Sequence, residues 1–545
     1  METVPVLVVG AGPVGLACAV ILEHQGVRCR IVDRAAAPSE LPKASALQAR
    51  TLELLDQLHL ADPLLDRGIR MRASVIRHHA RVLAEVDFRE IAGESRHPFV
   101  LGVPQSATEA VLAHRLESRG VEVERGVTLI GCRQDPEGVT STLRHADGRT
   151  EVVRSRWLAA CDGAGSAVRD ALGIPCRGDL YPTSYAMADV DLDWDEHPDR
   201  ALLVLGDRGR LLLHPVAEER WRIAVDCGPM RNRSRPAPPT RDLLQRICDD
   251  QLFQSVRVRA VDWSTFHPVH HRRAARRREG RVLLLGDAAE AHSPLTFQGL
   301  NAGIEDAWNL GWKLACAERG VAGEALLDSY EAERSEVVTR NTADAIEVER
   351  LFDLRSPYAR PARDTVFPFL ASTPGYERAM ARRTAETSFA YRSSPAVGTG
   401  FHDHPRPGDL APEDPAHTGG GVPILDGRTY VALLFMRTET DLDGFRTPVW
   451  PTDGSLRVRT VVVSRTRTDA RPVAGTASVD DSSGALHRAW SPSRPTQVLV
   501  RPDGHIGWRG HPGDAEGLAN HLAEVHGVRV RGTVPAAEVA ARRAG

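Results

Sequence analysis

The chain opens on alternating blocks of apolar and turn-forming residues. Residues 5–9 are an unbroken apolar run, and residues 16–22 carry the apolar density of a buried helix. A second short apolar run ends at Asp33. Between the first two blocks lies Gly10-Ala11-Gly12-Pro13-Val14-Gly15, so the pattern predicts strand, glycine turn, helix, strand. Leu47, Leu52, Leu55 and Leu58 predict a helix across 44–60, and Ala110, Val111 and Leu116 another across 108–119. Residues 71–100 are strand-rich, and 121–144 alternate as strands do before a turn at 145–149. A strand at 157–161 runs into Asp162-Gly163, and a continuous apolar strand at 281–285 runs into Gly286-Asp287. Between them lie strand-like runs at 201–205, 211–216 and 221–225. Helical patterns cover 304–317 and 325–348. Residues 353–415 are rich in Pro, Arg, Ser and Gly, and a fresh pattern of strands and one helix begins after 420.

At 545 residues the chain exceeds one ordinary core, which predicts two or three domains. Net charge is -3 with 26% charged residues, giving no electrostatic reason to expect nucleic acid or an anionic membrane as partner. No run of about 18 apolar residues exists and the N-terminus lacks a basic leader, so a cytoplasmic protein is expected. Eight cysteines show no C-x-x-C spacing and none follows Cys316, which argues against a disulfide framework or a metal site. Among 69 basic residues only Lys43 and Lys313 are lysines.

The opening pattern has the order needed to hold an adenine dinucleotide. Gly10 permits the tight turn, Gly12 lets the backbone approach a pyrophosphate, and Gly15 lets helix and strand pack closely. The helix N-terminus offers free N–H groups and positive dipole to phosphates. Asp33 stands about 20 residues on, where a carboxylate accepts from a ribose hydroxyl. The alternative is a glycine-rich turn without a ligand. Two acid–glycine turns share this strand-to-helix context: 161–169, with Asp162 and Gly163, and 286–289, with Asp287, followed by Pro294 and 298–303. Taken singly, either aspartate is equally well a helix cap. The basic run 270–281 is either a solvated loop or an attractor of a nucleotide phosphate, and Trp308 and Trp312 are core residues at helical spacing.

In this order and spacing the three turns resemble the FAD-dependent aromatic-ring hydroxylases of the p-hydroxybenzoate hydroxylase family, over residues 1–350. The chain looks most like the longer members from bacterial aromatic polyketide and antibiotic pathways. These end in a thioredoxin-like domain without redox cysteines, to which 498–509 is similar. The resemblance implies an α/β fold with a discontinuous FAD-binding, Rossmann-like domain of the glutathione reductase type at 1–74, 100–178 and 272–350. A mixed β-sheet substrate domain is implied at 75–99 and 179–271, a connecting helical or linker segment at 351–415, and a thioredoxin-like domain at 416–545.

It further implies that Gly10, Gly12, Pro13, Gly15 and Asp33 hold the ADP half of FAD, with Arg34 beside the adenine. Lys43 stands where an arginine is common, and Gln105 matches a cofactor contact. Asp162 and Gly163 lie in an Asp-Gly motif linked to FAD and NADPH, and Asp287 accepts from a ribityl hydroxyl. The backbone of Gly299, Leu300 and Asn301 borders the flavin, with Pro294 at its reacting edge. His292 and His214 are candidate acid–base groups, each equally a structural histidine. The reaction implied is reduction of FAD by NADPH or NADH, then transfer of one oxygen atom from a C4a-hydroperoxyflavin to an electron-rich phenolic or polyketide-like ring. Partners are a small aromatic substrate and molecular oxygen, with no metal, nucleic acid or membrane, in a monomer or homodimer. A Baeyer–Villiger monooxygenase is the alternative, and a non-catalytic flavoprotein a more distant one; no Trp-x-Trp-x-Ile-Pro motif supports a halogenase. The chain departs from the family at Glu290, where histidine is usual, and at Thr296-Phe297, where a glycine pair is common.

Overall fold

The opening strand, Thr3–Val9, lies inside an eight-stranded sheet. It pairs in parallel with Cys29–Asp33 on one side and Thr150–Ala160 on the other. The path runs Arg278–Glu279, Val282–Leu284, Thr150–Ala160, Thr3–Val9, Cys29–Asp33, Val123–Arg125, with Gly138–Arg144 also paired to Thr150–Ala160 and Thr128–Asp135 paired to Gly138–Arg144. Val6, Leu7 and Val8 are all fully buried, because a parallel strand covered on both faces carries a continuous apolar run rather than an alternating one. The helix Pro13–Gln25 is buried from Leu16 to Leu22, as its all-round apolar sequence requires.

The protein is described by a computed structural model over residues 3–39, 43–178, 180–206, 209–227, 237–252, 254–270, 272–291, 298–352, 359–398, 403–412, 425–436, 446–448, 455–465, 476–490, 492, 494–511, 513–527 and 533–535. The chain divides into two compact units, one of residues 1–20, 28–307 and 338–387, the other of 21–27, 308–337 and 388–545.

The first unit holds the eight-stranded sheet and a seven-stranded one. The latter runs Arg257–His270, Leu180–Asp193, Arg220–Asp226, Arg210–Ala217, Arg200–Leu205, Ala73–His78, Arg81–Asp87. It is antiparallel except where Arg200–Leu205 meets Ala73–His78. Leu244, Cys248 and Leu252 of the helix Arg241–Leu252 share a core with one face of this sheet, including Ala186, Ala188, Leu213 and Ile223. Residues 351–415, expected as a connecting helical or linker segment, contain among those described the helices Ala359–Ala371 and Tyr376–Thr384. Phe367 packs with Leu83 and Ala84, and Ala381 and Ala385 with Phe88 and Ile91, so these helices belong to the first unit.

The second unit is built on a five-stranded sheet ordered Thr476–Asp480, Val458–Ser464, Tyr430–Met436, Thr496–Val500, Ile506–Gly510. The first three strands are parallel and the last two antiparallel. This unit takes in 388–545 and draws in 21–27 and 308–337 from earlier in the chain. A buried ionic cluster accounts for that recruitment. Glu333 accepts from Lys313 Nζ at 2.7 Å and from the Arg501 guanidinium at 2.6 and 2.9 Å, all three side chains being at most 1% exposed. Among the described residues no helix is long and apolar enough to cross a membrane.

Candidate functional site

The strands Thr3–Val9, Thr150–Ala160 and Val282–Leu284 are neighbours and parallel, so their carboxyl ends open onto one edge of the sheet. Ligands of open α/β sheets bind outside such ends. The three turns leaving them are laced together. Gly10 N donates to Val32 O, Cys161 N to Val9 O and Leu285 N to Ala160 O, at 2.8, 2.8 and 2.9 Å.

Glycine does two different jobs here. Gly10 has φ +101°, and a Cβ there would lie 2.3 Å from Cys161 O. A Cβ on Gly15 would lie 1.8 Å from Gly10 O, so the first helix rests directly on the turn. By contrast, a Cβ on Gly12, Gly163 or Gly299 would meet nothing within 4 Å. These three line open space, with Gly12 just before the N-terminus of Pro13–Gln25 and Gly299 in the first turn of Gln298–Glu318.

The acids are arranged around that space. The Asp33 carboxylate accepts from Ala11 N and, at 2.7 Å, from Ala35 N, so it braces the first glycine turn while each oxygen keeps a lone pair. Arg34 is exposed beside it. Asp162 Oδ2 accepts from Val168 N at 3.1 Å, whereas Oδ1 is buried with no partner among the described residues. Burial pushes this carboxyl above the usual range. Asp287 is open to solvent yet so surrounded by protein that desolvation raises its carboxyl too, with Lys43 pulling it back. Glu109 is also raised by burial and also lowered by Lys43, while Asp33 pushes it up. Lys43 thus acts on both Asp287 and Glu109, and Glu109 is also near enough to Arg125 and Asp33 to feel their charges.

Lys43 is held by its own backbone neighbours. Gln105 Oε1 accepts from Ala44 N at 3.1 Å, Gln105 N donates to Ala44 O at 2.8 Å, and Gln105 Nε2 donates to Glu109 Oε1 at 2.7 Å. Arg222 Nη1 donates to the Lys43 carbonyl at 2.8 Å. Asn301 is fully buried; its side chain accepts from Gln48 N at 3.0 Å and donates to Ala46 O at 3.1 Å. Its amide is thus committed to fastening the strand at 46–47, and Leu300 is buried, which leaves the backbone around Gly299 to face the open space.

His214 departs from the expected acid–base role. It is fully buried, hydrogen-bonded to Ser45 Oγ at 2.8 Å, and burial with the nearby Arg222 pushes its imidazole down to about 3. That suits holding Ser45 rather than exchanging protons with a substrate. His292, Pro294, Thr296 and Phe297 lie outside the described residues. Glu290, which replaces the usual histidine, is buried 3.3 Å from Arg277 Nη2. Arg277 also donates to Asp306 Oδ2 at 2.9 Å, and Gly286 N donates to that same oxygen at 2.9 Å. The basic run 270–281 therefore contributes one fully buried arginine that supports the third turn. Sequence reading missed Arg277, Asp306 and the role of Glu109; the one available signal was the acidic pair Glu305-Asp306 inside the apolar-rich helical stretch 304–317.

The open glycines, the orphaned Asp162 oxygen and the lone lysine fit a long anionic cofactor with polyol and ring portions, as FAD has. Comparison with known proteins agrees. Residues 3–345 match the FAD binding domain family. The chain is 33% identical, over 96% of its length and 93% of the other, to 6-methylpretetramide 4-monooxygenase of Streptomyces rimosus. It is 29% identical to pentachlorophenol 4-monooxygenase of Sphingobium chlorophenolicum, covering 92% of this chain and 93% of that one. The solved anhydrotetracycline hydroxylase OxyS of Streptomyces rimosus superposes with a TM-score of 0.72 at 27% identity, over 97% of this chain and all of that one. The chain belongs to the FAD binding domain family and is an FAD-dependent aromatic monooxygenase.

Proposed function

We propose that this enzyme uses NADPH or NADH and molecular oxygen to hydroxylate an oxygen-bearing aromatic ring, with FAD lying along the three strand-end turns. The observation that carries the placement is the open backbone of Gly12 and Gly163 in the turns that leave two paired parallel strands. FAD bound there supplies the electron transfer and the activation of oxygen. The chain's own groups do the rest. Gly12 and the helix start at Pro13 receive the pyrophosphate, and Asp33 receives a ribose hydroxyl. Lys43 offers a point charge to phosphate in place of a bidentate guanidinium. Asp287 accepts from a ribityl hydroxyl. The first turn of Gln298–Glu318 presents backbone N–H groups and positive dipole to negative charge at the pyrimidine end of the ring.

The seven-stranded sheet is the substrate domain in this reading, and the C-terminal sheet, a parallel set extended by an antiparallel pair and a helix, is a thioredoxin-like scaffold without cysteines. The named relatives act on aromatic compounds, which favours ring hydroxylation over the Baeyer–Villiger alternative. The test is direct. Purified protein should be yellow, and a phenolic substrate should stimulate NAD(P)H oxidation and enter product carrying one labelled atom from oxygen gas. Asp287→Ala should purify nearly colourless. Ring insertion of the oxygen, or full flavin content in that variant, counts against the reading.

A further inference from the structure

The helix Tyr376–Thr384 ends on an acid where glycine is the usual residue. Thr387 N donates to Arg382 O at 3.1 Å and Glu386 N to Arg383 O at 3.2 Å, the two bonds that close a helix through one left-handed residue. That residue is Glu386, at φ +59°. A side chain with a Cβ is disfavoured there, and glutamate lacks the short polar group that lets asparagine or aspartate adopt the conformation. Its carboxylate is unfavourably placed as well, since Glu386 is 2% exposed. Glycine at 386 would relieve both, so neither backbone nor burial accounts for the side chain.

What that side chain touches is Gln48. With its NH2 group turned toward Glu386, the Gln48 amide lies 2.8 Å from Oε1 and 2.5 Å from Oε2. An ionised carboxylate only accepts, which fixes that orientation of the amide. Gln48 is itself buried and stands between the strand Ala46–Leu47 and the helix Ala49–Asp56. Its side chain makes no capping bond to that helix; Arg50 N donates instead to Ala385 O at 3.1 Å. Ala381 and Ala385 pack in one core with Ala46 and Ala49. Residues 385–386 lie beyond the stretch 3–345 that matches the FAD binding domain family, yet they close the end of an element inside it.

Gln48 is tied a second time. Its backbone N–H donates to Asn301 Oδ1 at 3.0 Å, and Asn301 Nδ2 donates to Ala46 O at 3.1 Å, so one amide spans Leu47. Glu386 therefore holds the side chain of Gln48, and the main chain of Gln48 holds the residue whose backbone borders the flavin in the proposed reading.

We infer that Glu386 is a positioning residue for the flavin: through Gln48 and Asn301 it sets where the first turn of Gln298–Glu318 stands against the pyrimidine end of the ring. This rests on the proposed placement of FAD. Reduction puts negative charge at that end of the ring. The backbone N–H groups of the turn stabilise that charge only at hydrogen-bond distance and in good alignment. Loss of the anchor therefore disfavours reduced flavin more than oxidised flavin, and the midpoint potential falls.

The test measures two quantities: the two-electron midpoint potential of FAD-loaded enzyme without substrate, against a reference dye, and the melting temperature of the apoprotein. Glu386→Gly removes the anchor and supplies the residue that the backbone favours. Its apoprotein should melt at or above the wild-type temperature. Its reduced flavin should be held at least tenfold less tightly relative to oxidised flavin, a fall of about 30 mV. Glu386→Gln keeps an acceptor for the Gln48 amide and should return that ratio to within twofold of wild type. Asn301→Ala alters the flavin border directly and should lower the potential at least as far as Glu386→Gly. With Asn301→Ala shifted, a wild-type potential in Glu386→Gly, or a potential in Glu386→Gln as low as in Glu386→Gly, would overturn the inference and leave the placement of FAD standing. Melting several degrees below wild type in Glu386→Gly would make Glu386 a structural cap and overturn it equally. If Asn301→Ala leaves the potential unchanged, the first turn of Gln298–Glu318 does not border the ring, and both this inference and the proposed placement fail.

Discussion

Arg222 Nη1 donates to the carbonyl oxygen of Lys43 at 2.8 Å, so one guanidinium joins the seven-stranded sheet to the segment that carries the charge acting on Asp287. The same guanidinium is neutralised by Asp189 and stands 5.1 Å from the Trp263 ring centroid. Arg222 is 1% exposed, and its partner Asp189 only 3%. Removing one member of such a pair leaves the other charge buried and unpaired, which typically costs about 3–5 kcal/mol. Arg222→Gln should therefore lower the unfolding free energy by that amount, read as a fall in the denaturant midpoint at unchanged slope, and weaken FAD binding through loss of the hold on Lys43. Asp189→Asn in the same chain should restore stability in part but not flavin affinity. Recovery of both together would show that Arg222 acts on the cofactor only through global stability.

Much of the strand-and-turn framework was legible because its devices are local. A glycine turn between a buried strand and a helix is written in six adjacent residues, and Gly10, Gly12 and Gly15 all stand in the turn they predict. The long-range partners were not legible. Glu333 and Arg501 are 168 positions apart, and the motif around 501–505 carries no mark that its arginine answers an acid on a distant helix. His214 and Arg222 sit on strands whose apolar alternation was visible, but which face points at Ser45 and Lys43 depends on the register of three strands. Asn301 was placed near the flavin by its backbone; its side chain is spent on Ala46 and Gln48, more than 250 positions away.

His214 makes acid stability a readout of burial. Its imidazole is held down at about 3, against an ordinary value of 6.5. Between those values the unfolded chain binds a proton that the folded chain refuses. Stability is then intact above pH 6.5 and is lost as pH falls toward 3, by up to about 1.4 kcal/mol per pH unit for this one group. His214→Gln, which can still hydrogen-bond Ser45, should flatten the decline of melting temperature with falling pH. The buried His521 and His526, held at about 3 and about 4, act with the same sign in the other unit and should keep part of the slope. Identical pH slopes in wild type and variant would mean that His214 is not buried neutral.

The cluster around Glu333 gives a matched test in the second unit. Its carboxylate is drawn down to about 2 despite burial, because Arg501 and Lys313 both face it, while burial lowers Lys313 to about 8. Glu333→Gln leaves two buried cations facing one another with only Asp503 to answer them and should cost about 3–5 kcal/mol. Lys313→Met removes one of two cations and lets the remaining pair stand, so it should cost less than half as much by chemical denaturation. A larger loss from the lysine change than from the glutamate change would contradict the assignment of Glu333 as the hub.

Two glycines three positions apart separate folding from cofactor binding. Gly15 has no room: a Cβ there would sit 1.8 Å from Gly10 O, so Gly15→Ala must push the first helix off its turn. Overpacking of that kind costs about 3 kcal/mol, enough to lower the melting temperature by several degrees with or without FAD. Gly12 has room, since a Cβ meets nothing within 4 Å, and its φ lies outside the left-handed region. Gly12→Ala should therefore fold with the stability of wild-type apoprotein, within about 1 kcal/mol. Its methyl group stands where the backbone must approach the pyrophosphate, so FAD affinity should fall at least tenfold, about 1.4 kcal/mol. The two variants are read side by side, by apoprotein melting and by quenching of free-flavin fluorescence. If Gly12→Ala binds FAD as tightly as the wild type, the open space beside Gly12 does not hold the phosphates, and the cofactor lies elsewhere along the strand ends.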